Sequence, residues 1–319
     1  MMSSPVMNAI RVHQYGDTDV LKHERIELPE PKDNEILIKV RYTTVTPFDW
    51  KMRKGFLHSV FPKTFPYIPG GSISGVVEKV GQKVTNFKVG QAVFGSSTHG
   101  GYAEYTLSTE KHILPMPNGL TYESAATITA GAAPAWKAIF SEGNLQPNQN
   151  VLIHAAAGGV GQFAIQLAKW RGAKVVGTAS TNNVEFVKSL GADEVIDYQK
   201  TALEDIIDPF DLVVDTVGGH TLEQSWNIVR KGGTLVSLTQ PLSSEKAKEY
   251  GIQVHFNTKQ VTMNNLRTIA QLLADGNISS EIERIYPLGE VKKAHEKSQT
   301  GHARGRILLE IHSNEDIEH

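Results

Sequence analysis

Val151-Leu152-Ile153-His154-Ala155-Ala156-Ala157-Gly158-Gly159-Val160-Gly161, followed by Gln162 to Arg171, is the stretch from which the rest of the chain can be placed. Three apolar residues predict a short buried strand, and a run almost without side chains predicts a turn. Val160, Ala164, Leu167 and Ala168 then recur on one face of a helix. In a strand–turn–helix of this kind the first N–H groups of the helix lack partners and point out of the turn, along the favourable end of the helix dipole. A pyrophosphate binds there when side chains do not block it. Gly158 clears the approach path, and Gly161 lets the helix pack closely on the strand. Ala156 stands where the first glycine of a G-x-G-x-x-G turn would be, and a tight turn without a ligand is the alternative. Gly172 ends the helix and Lys174 to Thr178 predicts a second strand, closing a β-α-β unit of the length a dinucleotide site needs. Ala156, Ala157, Gly158, Gly159, Val160 and Gly161 are therefore candidate phosphate-binding residues.

With 319 residues the chain can bury two hydrophobic cores, which predicts two domains. The 32 basic and 34 acidic side chains leave a net charge of −2, and no basic block stands out. That pattern gives no reason to expect nucleic acid or an anionic membrane surface as partner. No apolar run approaches the roughly 20 residues that span a bilayer. Met1 to Ala9 lack the charged and apolar parts of a signal peptide, so the expected location is cytoplasmic. The absence of cysteine removes disulfides and cysteine-ligated metals, so a redox enzyme made from this chain takes its electrons from a cofactor.

From Ala9 to about Leu120 the pattern is mostly β. Glu35 to Tyr42 alternates, with Ile36, Ile38, Val40 and Tyr42 on one side and Lys39 and Arg41 on the other. Ser72 to Val80, Gln91 to Phe94, Tyr102 to Leu107 and His112 to Leu114 are further strands, short and punctuated by glycine as in a small barrel-like domain. Thr46 to Gly55 predicts a short helical turn, and the proline- and aromatic-rich Phe56 to Pro69 an ordered loop. Thr121 caps a predicted helix running through Phe140. Strands near 151–154, 174–178, 193–197, 211–215, 234–238 and 252–256 then alternate with helices near 160–171, 183–190, 201–207, 220–230 and 243–250. Such alternation predicts an α/β fold, a doubly wound parallel sheet. After Phe256 a helix at 264–275, a strand at 282–286, a helix near 289–298 and a strand from Arg306 to Ile311 break the rhythm. They are assigned back to the first domain, giving residues 1–121 and 261–319 for one domain and 122–260 for an inserted dinucleotide-binding domain. His312 to His319 are expected to fray.

The chain at this point resembles the medium-chain dehydrogenase/reductases, and within them the zinc-free quinone oxidoreductase and enone reductase branch. Thr46-Pro47-Phe48-Asp49-Trp50-Lys51 is similar to the branch's Asn-Pro-x-Asp segment, and His154 to Gly161 to its Ala-x-x-Gly-x-x-Gly turn. Leu190 to Tyr198, Asp215-Thr216-Val217-Gly218-Gly219 and Gly301-His302-Ala303-Arg304-Gly305-Arg306 match other segments of it. The resemblance runs nearly end to end. It implies a GroES-like β-barrel-type catalytic domain with an inserted Rossmann sheet, NADPH in the cleft between them, and a homodimer. Zinc-dependent members carry a cysteine near Pro47 and a His-Glu pair after the Pro-Gly that is Pro69-Gly70 here, whereas this chain has Gly71-Ser72. The four-cysteine lobe is missing too, so no metal site is expected. Thr46 replaces the branch's usual asparagine, and Pro134 stands where threonine often lies beside the nicotinamide.

Without a Lewis acid, hydride transfer is easiest to a conjugated acceptor, whose negative charge spreads onto oxygen as an enolate or phenolate. The site then holds donor and acceptor close and supplies hydrogen bonds to that oxygen. The expected activity is NADPH-dependent reduction of a quinone or an α,β-unsaturated carbonyl. A non-catalytic NADPH-binding redox sensor or structural protein is the alternative. Lys51 is a candidate to stabilise the oxyanion or relay a proton, or else a solvated surface lysine. Thr46 can donate to the substrate or bond the backbone, and Asp49 can act in catalysis or cap its turn. Phe65 and Tyr67 are candidates for the acceptor pocket or for plain packing. Thr216, Val217 and Gly218, and after the next strand Leu238, Thr239 and Gln240, follow strands at the sheet's carboxyl edge and fit contact with the cofactor. The second strand ends Gly177-Thr178-Ala179-Ser180-Thr181-Asn182, without the carboxylate that grips the ribose of NAD. Ser180, and Tyr198 in the family's Asp-Tyr position, are expected donors to a 2′-phosphate. Asn182 adds no charge where the branch often has arginine or lysine, so the NADPH preference is expected to be modest. His154, at a strand end, is read as a satisfied near-core histidine.

Overall fold

The computed structural model describes residues 5–203, 208–256 and 259–312. They divide into two compact units, one taking the described residues up to Ala130 and from Ile282 onward, the other Gly131 to Glu281. The first unit opens with an antiparallel hairpin, β1 (Val6–Val12) and β2 (Leu21–Glu27). β3 (Glu35–Val45) leads into the short helix α1 (Pro47–Arg53), and β4 (Ser72–Val80), β5 (Ala92–Ser96), β6 (Tyr105–Thr109) and β7 (Ile113–Pro115) follow. Ile36, Ile38 and Val40 of β3 meet Ile73, Val77, Val93 and Ile113 in a buried layer, as the alternation predicts. The opposite face of β3 is not left to solvent. Helix α2 (Tyr122–Ala126) packs on it, and Arg41 is buried with its guanidinium over the Tyr122 ring.

Thr121 caps α2 as expected, its hydroxyl accepting from Ser124 N–H, but the helix does not run unbroken to Phe140. Ile128–Ala132 and Lys137–Glu142 are π-helical turns on either side of α3 (Ala133–Trp136), which contains Pro134. A proline has no N–H for the carbonyl four residues back, here Ala130. That carbonyl instead accepts from Arg306 Nη2.

The second unit continues with β8 (Asn150–Ile153), α4 (Gly161–Trp170), β9 (Lys174–Ala179), α5 (Val184–Ser189), β10 (Glu194–Asp197), β11 (Phe210–Asp215), α6 (Gly219–Ser225), β12 (Val229–Ser237), α7 (Ser244–Tyr250), β13 (Gln253–Phe256) and α8 (Met263–Ala274). Its six strands are all parallel, in the order β10-β9-β8-β11-β12-β13. The chain starts in the middle and winds outward both ways, so the order reverses between β8 and β11, which is where doubly wound sheets bind ligands. β8 and β11 lie inside the sheet, and Val151, Leu152, Ile153, Val213 and Val214 are wholly buried. Residues 204–207 of the helix expected at 201–207, and 313–319 of the expected tail, lie outside the described residues.

α8 differs from expectation in its allegiance. The sequence pattern assigns the 264–275 helix to the first domain, yet α8 belongs to the second unit and packs against α3. The segment after it is held by glutamine side chains of α4. Gln162 donates to Glu281 O at 3.0 Å and accepts from Glu281 N at 2.6 Å, and Gln166 does the same for Ser279 at 3.0 and 2.7 Å. The chain then returns to the first unit as β14 (Ile282–Pro287), α9 (Val291–Gln299) and β15 (Arg306–Glu310). β15 pairs with β3 to complete a seven-stranded sheet in the order β14-β15-β3-β4-β5-β7, with β6 also on β3.

Candidate functional site

The glycine turn leaves β8 through His154 and Ala155, and Ala155 takes a left-handed φ of +47°. Two hydrogen bonds to the neighbouring strand hold it, Ala155 N–H to Thr178 Oγ1 at 3.2 Å and Ala156 N–H to Thr178 O at 2.9 Å. A Cβ on Gly161 would stand 2.3 Å from Ala155 O and 2.7 Å from Ala156 Cα, so only glycine lets α4 start this close to the strand. Among the described residues, no hydrogen-bond partner occupies the Val160 and Gly161 N–H groups at the head of α4. Donors free at a helix N-terminus beside a bare turn fit a pyrophosphate.

Three loops at the carboxyl edge of this sheet are tied together, and Asp215 ties two of them. Fully buried at the end of β11, it accepts from Val217 N at 3.1 Å and Gly218 N at 2.9 Å in its own loop. From the end of β12 and the loop after it, it accepts from Ser237 Oγ and Thr239 Oγ1, each at 3.2 Å. Thr216 Oγ1 donates to His154 O at 2.9 Å, which links the glycine turn to the same group. Gly218 has φ +82°, and a Cβ there would meet Thr239 Oγ1 at 2.8 Å. The candidates Thr216, Val217, Gly218, Leu238, Thr239 and Gln240 are thus brought together with the turn, and the Val217 side chain is left half exposed. Asp215 was not among the candidates. The signal for it was an acid ending a strand that is otherwise wholly apolar after Asp211.

His154 is completely buried, with Nδ1 3.3 Å from Thr178 Oγ1 and Nε2 3.0 Å from Ser225 Oγ. Burial pushes its pKa down to about 4, against the opposing pull of the Asp215 carboxylate. It is a neutral strut beneath the turn, the role read from the sequence.

At the other end of the site, Ser180 and Asn182 lie just past β9, and Tyr198 just past β10. Tyr198 N–H donates to Ala179 O at 3.2 Å, which holds its backbone next to the end of β9, and its side chain is half exposed. A carboxylate stands at this edge after all. Asp197 ends β10 and accepts from Thr181 Oγ1 at 2.6 Å. It comes from β10, the third strand of this unit in chain order, rather than from β9, the second.

In the first unit, Thr46 and Asp49 form the head of α1. Asp49 Oδ2 accepts from Thr46 N at 2.8 Å and from Thr46 Oγ1 at 2.6 Å. Asp49 therefore caps its helix, and the Thr46 proton is engaged there rather than left for a ligand. Burial raises the Asp49 pKa, opposed by the hydrogen bonds from Thr46 and Gly70 and by the charge of Arg306. Lys51 lies two residues on, half buried, with its ammonium 5.6 Å from the Trp50 ring centre and no ion pair among the described residues. Phe65 and Tyr67 pack against the first unit's core, Phe65 edge-on to Tyr15 at 4.9 Å. The Tyr67 hydroxyl is buried, and burial raises its pKa to about 12. Ser72, where zinc-dependent relatives carry a ligand pair, donates to Ala126 O at 2.5 Å and bonds the Thr129 hydroxyl. Its oxygen serves to hold the end of α2. Among the described residues no group of three His, Cys, Asp or Glu side chains is placed to hold a metal.

Comparison with known proteins agrees with this geometry. Residues 32–118 match the family described as alcohol dehydrogenase GroES-like domain, and residues 190–309 the one described as zinc-binding dehydrogenase. The chain is 32% identical to the chloroplast envelope quinone oxidoreductase homolog of Arabidopsis thaliana, over 97% of this chain and 100% of that one. It is 32% identical to 2-methylene-furan-3-one reductase of Solanum lycopersicum, over 95% of this chain and 79% of that one. Among solved structures, the quinone oxidoreductase from Coxiella burnetii superposes with a TM-score of 0.91 at 34% identity, covering 97% of this chain and 100% of that one. The Escherichia coli quinone oxidoreductase complexed with NADPH superposes with a TM-score of 0.87 at 25% identity, covering 95% and 100%. With the six-stranded parallel sheet, its bare glycine turn and the GroES-like unit that flanks it in sequence, these matches show that the chain belongs to the quinone oxidoreductase branch of the medium-chain dehydrogenase/reductase family.

Proposed function

We propose that this protein is an NADPH-dependent oxidoreductase that transfers hydride to a quinone or an α,β-unsaturated carbonyl without the help of a metal ion. The observation that carries this reading is the replacement of the family's zinc-ligand pair by Gly71 and Ser72, with the Ser72 oxygen bonded to Ala126 and Thr129. No strong Lewis acid is then on hand for an isolated carbonyl, and a conjugated acceptor asks for the least. Bound NADPH would supply the hydride. Val160 and Gly161 would hold its pyrophosphate, and the loops gathered by Asp215 would hold the half that bears the nicotinamide. Lys51 carries a positive charge that no acidic side chain among the described residues neutralises, which suits a developing enolate or phenolate oxygen. The relatives named quinone oxidoreductase and 2-methylene-furan-3-one reductase support both acceptor classes, and the Escherichia coli complex supports the cofactor.

NADPH is favoured over NADH in this reading by at least about tenfold, since one or two neutral hydrogen bonds from Ser180 and Tyr198 are already worth that much. A homodimer belongs to the same reading, as the family resemblance implies. The test is a panel of quinones, enones, simple aldehydes and alcohols, with NADPH consumption or formation followed by absorbance. Multiple turnovers with quinones or enones are expected. Binding of NADPH without turnover on any of the panel would favour the sensor reading instead.

A further inference from the structure

We infer that Lys200, rather than any residue of the loop after β9, supplies the positive charge that faces the 2′-phosphate of the cofactor, and that Asp197 holds it in place. The inference rests on the NADPH reading above and adds the residue that sets its selectivity. The loop after β9 offers Ser180, Thr181, Asn182 and Asn183, all uncharged. The run Tyr198-Gln199-Lys200 lies along it. Besides the Tyr198 bond to Ala179, Thr181 N–H donates to Gln199 Oε1 at 3.1 Å. Lys200 Nζ lies 3.1 Å from Asp197 Oδ2, the same oxygen that accepts from Thr181 Oγ1 at 2.6 Å. The ammonium is therefore one carboxylate oxygen away from the loop that receives the adenosine ribose in a sheet of this winding.

The two charges differ in exposure. The Asp197 side chain is 12% exposed and that of Lys200 66%. Asp197 also accepts from Gln199 N at 3.1 Å, so its acceptor sites are engaged from three directions. A lysine has three N–H donors, and one ion pair leaves two for a phosphate. Lys200 also masks Asp197. Without it, this edge would present an uncompensated carboxylate of the kind that repels a 2′-phosphate and suits the ribose hydroxyls of NAD.

The test is binding of 2′,5′-ADP and of 5′-ADP, measured by calorimetry at one fixed ionic strength, for the wild-type protein and its variants. Lys200→Met is expected to weaken 2′,5′-ADP about tenfold through loss of a charge-assisted contact, and not to weaken 5′-ADP. Lys200→Arg should keep the wild-type ratio. Lys200→Met combined with Asp197→Asn should recover part of the loss, because the unmasked carboxylate goes with the lysine. A Lys200→Met protein that keeps its ratio overturns the inference while leaving the NADPH reading standing. A wild-type protein that does not distinguish the two nucleotides overturns that reading, and the role of Lys200 with it. Lys200 is a surface side chain, and equal melting temperatures would show that the variants are folded.

Discussion

Two residues apart on α1, Asp49 and Lys51 have opposite environments. Asp49 is buried and spends one oxygen on both the N–H and the hydroxyl of Thr46. Lys51 is half buried and makes no ion pair among the described residues. If its charge stabilises the acceptor oxygen, Lys51→Met should lower kcat with little change in NADPH affinity. Loss of a charge-assisted hydrogen bond is worth about 1.5–3 kcal/mol, so a drop of roughly 10- to 150-fold is expected. An unchanged kcat in steady-state assays would make Lys51 a surface residue. The capping role of Asp49 was legible, since a threonine three residues before an acid at a proline-led helix start is a known local signature. The inward turn of the Tyr67 hydroxyl was not. It depends on the pairing of Tyr67 with Val12, 55 residues earlier, which no local pattern records.

Among the elements, the glycine turn was the most legible, because its physics is local: a strand, a gap in side chains and a helix. Gly161→Ala tests it. The new methyl would collide with backbone atoms of Ala155 and Ala156, which cannot swing away as a flexible side chain would. Overpacking of this kind costs about 1–3 kcal/mol, so a lower melting temperature and NADPH binding weaker by about tenfold or more are expected together. Unchanged values in a thermal melt and a fluorescence titration would show that α4 does not need its close start. The pattern from Thr121 to Phe140 predicts one helix, although Pro134 lies inside it. Its consequence for the carbonyl of Ala130 was within reach from the sequence. That Arg306 would provide the donor was not, because β15 reaches that carbonyl only through its pairing with β3.

On the scale of the molecule, the interrupted arrangement was visible as a change of rhythm after Phe256, while the allegiance of α8 was hidden. An amphipathic helix shows that it has a buried face but not what covers it. Each unit also holds a buried neutral histidine. His154 is pushed down to about 4 by burial, and His295, packed against Tyr102, to about 3 by burial and then by the nearby Arg53 charge. Both sit below the unfolded value of about 6.5. Unfolded chains therefore take up protons that the native state refuses as pH falls below about 6.5. Stability should be full above that pH and decline toward pH 4, by roughly 2 kcal/mol per histidine at pH 5. The gap between the melting temperatures at pH 7 and pH 5 should narrow in His154→Gln or His295→Gln, and an equal gap in all three proteins would remove the histidines as its cause.

If hydride passes from NADPH to the conjugated carbon of an acceptor on a protein that needs no metal, an isotopic label on the cofactor follows it into the product. The most direct measurement uses NADPH carrying deuterium at the transferable C4 position, an enone, and protein treated with a chelator, with the product analysed by mass spectrometry and NMR. A saturated ketone with deuterium on its β-carbon and undiminished turnover after chelation are expected. An alcohol labelled at the carbonyl carbon, or activity lost on chelation and restored by zinc, would contradict that route.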